Sequence, residues 1–293
     1  SYSLLKSTIR LNAYVETGKL LGYKQLALTD DGVLHGTVEF YERCIQNGIQ
    51  PILGCTFEIS WKSDASRKEM LVVYAKGAKG YESLLKLSTL YQQGLTWTTE
   101  MTEWIATHSE DVKIVLPPMD SEWVAAHSKD KLESVLRAVK EEFPGVEIAV
   151  GITREMVERG EFDTMREGIE AAGVVPVAFS VSRYLNTTNY FSWKVLQAIR
   201  LGETLSFIQE DATGSESLPE ATSMTKVFQA AIGGILLTNL EQFTKDLVVE
   251  IPLRDTMLPK FPVPGGKTSA QFLYELCEAA MLEMGVTTPI YVN

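Results

Sequence analysis

Apolar residues along this chain recur first at helical spacing and then in short unbroken runs, and the two patterns alternate. Residues 10–21 (RLNAYVETGKLL) predict a helix that stops at Gly22, a residue able to take the left-handed conformation that ends helices. Residues 25–29 predict a short buried strand, and 34–47 a helix ending at Asn47-Gly48. Strands follow at 50–60 (QPILGCTFEIS), which carries a glycine, and at 70–75 (MLVVYA). Helices are predicted over 79–93, with Leu84, Leu85, Leu87 and Leu90 inward, and over 99–108. A strand at 112–116 (VKIVL) is closed by Pro117-Pro118. Residues 120–142 read as a helix in two pieces, followed by a strand at 146–152, a helix at 155–172 and a strand at 174–179.

Six strands therefore alternate with helices in the first 180 residues. Short connections between unlike elements point to a parallel sheet with covering helices. A closed or nearly closed barrel fits, and so does an open doubly wound sheet. From about residue 188 the pattern is mostly helical. Residues 256–266 carry Pro259, Pro262 and Pro264 and end in two glycines, an extended linker or arm. A last amphipathic helix is predicted over 269–284. The expected organisation is a core at 1–187, its helical completion at 188–255, and a linker with its helix at 256–293.

Charge narrows the function. The chain carries a net −11, and its 27 Lys and Arg are scattered with no basic stripe, so no direct nucleic-acid binding is expected of it. No apolar run approaches the ~20 residues of a membrane span, and no signal-type leader opens the chain. Three widely spaced cysteines make a disulfide framework improbable and suit a reducing cytoplasm. The chain opens without Met inside a patterned segment, SYSLL, as a piece of a longer protein would.

The stretch LALTDDGVLHG (Leu26–Gly36) holds the main candidate chemistry. Asp30 and Asp31 fall where α/β barrels place catalytic or metal-binding groups, at the carboxyl end of a strand. A plainer role is helix capping and hydrogen bonding at a strand-to-helix turn. His35 reads as a packed or half-exposed helix residue, and His108 and His127 as residues near helix ends. None of the three stands in a His-x-His or His-x₃-His pair. Cys55, at a strand end, reads as a buried inert thiol. Gly233-Gly234 and Gly265-Gly266 read as turns rather than phosphate loops.

Several blocks resemble one family. YSLL (Tyr2–Leu5), LGYKQLALTDDGVLHGTVEFYERC (Leu21–Cys44) and GIQPILGC (Gly48–Cys55) are similar to the start of a PHP (polymerase and histidinol phosphatase) domain, in the form found at the amino terminus of bacterial DNA polymerase III alpha subunits. The likeness continues through Leu71–Leu90, Arg183–Asn186, Val195–Ser206 and Leu258–Ala280. It implies a distorted (βα)7-type barrel whose active members hold metal ions with His, Asp and Glu and hydrolyse phosphoesters. The first ligand motif and the first strand precede YSLL and are absent from the chain as given, so either residues upstream of Ser1 carry them or the barrel is open beside 25–30 with an unpaired edge. Asp30 keeps the family's aspartate, but Asp31 stands for a histidine, Thr56 for a glutamate and Met70 for a histidine. Val181 and Arg183 stand for an Asp-x-His, and Thr153 or a neighbour for a further histidine.

Threonine, methionine and valine are poor ligands for zinc or manganese, and an arginine in the cavity opposes cation binding. No catalytic residue and no metal are therefore expected in this fragment, Asp30 and Asp31 being weak metal candidates only. Arg183 is expected to pair with Asp30 or Asp31 in the place of a metal. The resemblance implies a scaffold role in DNA replication, with the remainder of the alpha subunit and other replication subunits as partners. Nucleotidyl transfer, with magnesium, would belong to the parent DNA-directed DNA polymerase. One alternative is a zinc- or manganese-dependent phosphoesterase or 3′-5′ exonuclease using upstream histidines. Another is an unrelated barrel enzyme acting on a small molecule.

Overall fold

The apolar runs become six strands of a single mixed sheet in the computed structural model, which describes residues 3–61, 64–117, 129–208, 216–253 and 261–285. Strands β1 (Gln25–Leu28), β2 (Gln50–Trp61), β3 (Asp64–Ala75), β4 (Val112–Leu116), β5 (Glu147–Ile152) and β6 (Val175–Ala178) lie side by side in chain order. The β1/β2, β4/β5 and β5/β6 pairs are parallel, but β3 runs antiparallel to both β2 and β4. This corrects the all-parallel expectation. Only two residues separate β2 from β3, and a parallel pair needs a crossover of about a dozen or more. The first half of β3 reads DASRKE, with none of the apolar character that marks a buried strand, so it is invisible to hydrophobic patterning.

Eleven helices complete the described residues. They are α1 (Leu11–Leu20), α2 (Thr37–Asn47), α3 (Gly77–Gly94), α4 (Thr99–Thr107), α5 (Lys129–Glu142), α6 (Arg154–Glu158), α7 (Glu161–Ala171), α8 (Tyr190–Leu201), α9 (Ala221–Ala230), α10 (Ile235–Thr244) and α11 (Ser269–Glu283). The helix expected over 155–172 is two helices, because Gly160 adopts φ 70° and breaks the turn between them. Part of the helix expected over 120–142 lies outside the described residues. Among the described residues no further strand follows β6, and the elements there are mostly helical.

No ladder joins β1 to β6 among the described residues, so the sheet is a half-barrel with β1 at an edge. Alternation along each strand divides its side chains between two apolar clusters. One face carries Leu53, Phe57, Val73, Ile114 and Ile148 into the main core with α2, α3 and α5. The other carries Ile52, Val72, Tyr74, Val115, Ala149 and Val177, covered by Phe243 and Leu247 from α10 and the residues after it. Gly54 pairs with Tyr74 across the β2/β3 ladder, and a Cβ there would lie 2.9 Å from the Tyr74 ring and 2.9 Å from the Val73 carbonyl. The bare glycine lets the ring lie across the sheet.

Lys113 of β4 is the charged group buried among these strands, at 1% exposure. Its ammonium donates to the Phe243 carbonyl at 2.8 Å and pairs with Asp246 at 2.7 Å and Glu147 at 2.9 Å. It also lies 4.9 Å from the centre of the Phe243 ring. Lys76 reaches the same Asp246 at 3.3 Å. The end of α10 is thereby tied to β4 and β5.

Residues 1–251 form one compact unit and 252–293 a second. In the second, α11 starts with a capping box of Thr268 and Gln271, and Leu273, Tyr274, Leu276 and Met284 are exposed. No described helix is long and apolar enough to cross a membrane.

Partial burial raises the Asp246 pKa, but hydrogen bonds and charge from Lys113 and then Lys76 outweigh it, and the net shift is downward. A carboxyl lowered in the folded state stabilises above the ordinary carboxylate range, near pH ~4, and loses that contribution as pH falls through the folded value. Asp246→Asn is expected to cost about 2 kcal/mol at neutral pH in denaturant melts. That is below the ~3–5 kcal/mol of a fully buried pair, because Glu147 still faces Lys113. The variant should also lose stability less steeply than the parent on acidification below about pH 4.

Candidate functional site

The carboxyl end of β1 is built by continuing its parallel pairing with β2 past the last regular strand residue. The Thr56 N–H donates to the Asp30 carbonyl at 3.0 Å, and the Gly32 N–H donates to the Thr56 carbonyl at 2.8 Å, with Asp31 opposite Thr56. Gly32 adopts φ 65°, and a Cβ there would fall 2.7 Å from the Tyr91 ring. Its carbonyl accepts from Ser88 at 2.8 Å and Gln92 at 3.0 Å, which anchors the turn to α3. The glycine of the Asp-Asp-Gly stretch is thus required by a left-handed turn packed directly on an aromatic ring.

These bonds turn Asp30 inward, at 4% exposure. Its Oδ1 accepts from both the Ser3 hydroxyl at 2.8 Å and the Ser3 N–H at 3.1 Å. The same hydroxyl oxygen accepts from the Asp31 N–H at 3.0 Å. Neither aspartate caps a helix, as the sequence had suggested, because α2 begins at Thr37 with Gly36 at its N-cap position. Their hydrogen-bonding role is realised through Ser3 instead.

Asp31 faces Lys6, whose ammonium lies 2.8 Å from Oδ2. That oxygen is buried and has no directed hydrogen bond, so the contact is one of charge rather than of aligned donor and lone pair. Arg183, expected to provide this cation, forms no ion pair with either aspartate among the described residues. Its backbone is used instead. The carbonyl accepts from the Ser7 hydroxyl at 2.9 Å and the Thr8 N–H at 3.0 Å, and its N–H donates to the Glu216 carbonyl at 2.7 Å. Trp193 and Gln197 of α8 donate to the Lys6 and Leu5 carbonyls at 3.2 and 3.1 Å. Residues 3–8 are therefore strapped between the β1 strand end, the segment after β6, and α8.

The remaining sequence-derived positions do not converge on the aspartates as ligands. Thr56 spends its hydroxyl on the Thr29 carbonyl at 2.8 Å. Met70 lies half-buried on β3 opposite Glu58. Val181, half-buried, lies in the segment between β6 and Arg183. Thr153 caps α6, its side chain accepting from the Met156 N–H at 3.3 Å. His35 is exposed in the turn before α2, ahead of the helix expected to contain it. His108 caps the C-terminus of α4 and stacks on Trp104 at 4.1 Å. His127 lies outside the described residues. Cys55 is fully buried, its sulfur 3.4 Å from the Asp30 carbonyl, and burial first and Asp31 second push its thiol far up, which keeps it protonated.

Among the described residues no three His, Cys, Asp or Glu side chains come together in a group that could hold a metal ion. The donor set at this strand end does not fit one: two carboxylates, one bound by a serine and the other by an ammonium, offer no open, converging coordination sphere. Ser3 and Lys6 are the functional-site residues that sequence reading missed. They meet the aspartates across 25 or more residues, and neither sits in a motif of its own.

A family model of the PHP domain matches residues 1–155. The chain belongs to the PHP domain family. The curated relatives of this PHP domain include a DNA polymerase III subunit alpha from Halalkalibacterium halodurans, 29% identical over 96% of the chain, and one from Bacillus subtilis, 24% identical over 94%. The chain spans only 25% of the length of each of these two relatives. A solved amidohydrolase from Chromobacterium violaceum is 10% identical and covers 60% of this chain and 82% of its own, with a TM-score of 0.40, too loose a likeness to inform the site.

Ser3→Ala removes a hydroxyl that serves both aspartates and is expected to cost about 1–2 kcal/mol in chemical denaturation. Lys6→Ala breaks a partly exposed pair and is expected to cost less, about 0.2–1 kcal/mol, with the loss shrinking further at high salt. A larger effect of Lys6→Ala than of Ser3→Ala would contradict this ordering.

Proposed function

We propose that this PHP domain is part of a longer replicative polymerase chain of the DNA polymerase III alpha type, and serves there as a scaffold without phosphoester chemistry of its own. Relatives from three bacteria that match nearly the whole chain carry that name and are about four times as long as it, which supports a domain role within a larger polypeptide. The observation that carries the non-catalytic reading is Lys6: its ammonium stands against Asp31, at the position where the family resemblance implies a metal-binding histidine. Thr56, Met70, Val181 and Arg183, at positions where the family resemblance implies ligands, are unsuited to supply them.

In this role the domain docks onto the remainder of the polymerase and onto other replication subunits, in the cytoplasm. The net charge of −11 keeps it from competing for the DNA backbone. Nucleotidyl transfer, which relies on acidic residues holding two metals, belongs to the rest of the polymerase chain.

Metal analysis of the purified domain tests the reading. Zinc and manganese are expected well below one equivalent, with no metal-stimulated hydrolysis of a generic phosphodiester. Stoichiometric metal together with hydrolysis that Asp30→Asn abolishes would overturn it. Primer extension by the domain alone is expected to be absent.

A further inference from the structure

Helix α8 has two unlike sides. On the packed side Gln197 and Ala198 are buried, and Trp193 and Gln197 donate to the Lys6 and Leu5 carbonyls of the strap. On another side Phe191, Val195 and Ile199 recur at a spacing of four and form an apolar stripe. Phe191 is 64% and Ile199 63% exposed, with Val195 half-buried between them. The exposure continues past the helix. All nine residues of 199–207 are exposed, among them Ile199, Leu201, Leu205 and Phe207.

The backbone of this segment is held in place. Gly202 takes φ 68° and ends α8, its N–H donating to the Ile199 carbonyl at 3.3 Å, while the Glu203 N–H donates to the Ala198 carbonyl at 3.0 Å. The Phe207 N–H donates to the Thr204 carbonyl at 3.0 Å, the Thr204 and Ser206 hydroxyls lie 3.0 Å apart, and Ile208 is buried immediately after. Five large apolar side chains are thus kept in water by main-chain geometry, against the tendency of such groups to bury. Single exposed apolar residues are ordinary on a protein surface, whereas a local cluster marks a contact.

Charge and size select the occupant. Arg200 and Glu203 cancel, so 199–207 is neutral on a chain of net −11. It offers nothing to a nucleic-acid backbone, and the surrounding charge repels anionic lipid and a second copy of the chain alike. A separate protein would need about 800 Å² of contact and roughly 20–30 residues on each side to stay bound. Five side chains fall short of that, but they suffice within one polypeptide, where the tether keeps the local concentration high and little freedom is lost on contact. Relatives that match nearly the whole chain are about four times as long, so most of such a polypeptide lies outside this domain. We propose that Phe191, Ile199, Leu201, Leu205 and Phe207 form a face that docks onto an uncharged apolar surface elsewhere in the same polypeptide, outside these 293 residues. This rests on the reading of the domain as part of a longer polymerase chain.

Side-chain accessibility in this chain and in the longer polypeptide containing it provides the test. Hydroxyl-radical labelling read by mass spectrometry is expected to mark Phe191 and Phe207 readily in the 293-residue chain and about fivefold less in the longer polypeptide, each at a concentration where sedimentation shows single copies. Ile199→Asp combined with Phe207→Asp should leave the melting temperature of the 293-residue chain within about 1 °C, since both side chains are exposed there. In the longer polypeptide the same pair puts charge into the contact and should return Phe191 labelling to the level of the shorter chain. Equal labelling of the two polypeptides overturns the proposal, as does Phe191 protection that survives the paired substitution. A marked melting loss in the shorter chain overturns it too, because the side chains then serve the domain's own fold. Protection that vanishes on dilution with a fall to monomer mass gives the face to a second copy, and protection that requires an added replication protein gives it to a separate subunit; either result refutes it. If the intact mass of the source protein equals that of this chain, the longer-polymerase reading fails and this proposal with it. Equal labelling of a longer polypeptide that does exist sinks the docking face alone.

Discussion

Two backbone hydrogen bonds hold the strand end on which the site depends. Thr56 donates to the Asp30 carbonyl and accepts from the Gly32 N–H, so β1 and β2 remain paired for one step beyond the regular ladder. This pairing sends the Asp30 side chain to one side and forces Gly32 into a left-handed turn against Tyr91. The aspartates are therefore placed by main-chain geometry, and what they can do is decided by the side chains that then reach them.

In this chain those side chains come from residues 3–8. Ser3 satisfies Asp30 and the Asp31 N–H together, and Lys6 supplies the opposite charge to Asp31. A buried carboxylate needs hydrogen bonds and compensating charge, whatever their source. A metal ion can meet that need, and so can a serine and a tethered ammonium. The second solution is the one the described residues show: Ser3 on Asp30 and Lys6 against Asp31.

The opposite end of the sheet solves a comparable problem with Lys113. A cation buried beneath α10 is tolerated because a carbonyl and two carboxylates surround it. This cluster fastens α10 over the sheet face that carries Tyr74 and Val177, and so helps to shape the half-barrel interior. The strand-end aspartates and the interior thus rest on separate polar networks joined by an apolar sheet.

Much of the architecture was legible in the sequence. Apolar runs and helical spacing placed five of the six strands and most helices within a few residues, because burial on one or both faces imposes those periods. Gly22 and Gly48 marked helix ends for the same local reason. The family, too, was legible in long ordered blocks around Asp30 and Gly32. The direction of β3 was not, since its polar first half shows no period and pairing direction depends on connection length. Nor could the sequence show that Lys6 rather than Arg183 meets Asp31, because both are single basic residues far from it along the chain and only the path of residues 3–8 brings one of them within 2.8 Å. Local chemistry determined the elements and the donor types available. Long-range chain placement alone decided which charges meet, since attraction between single charges acts over a few ångströms and leaves no periodic trace in sequence.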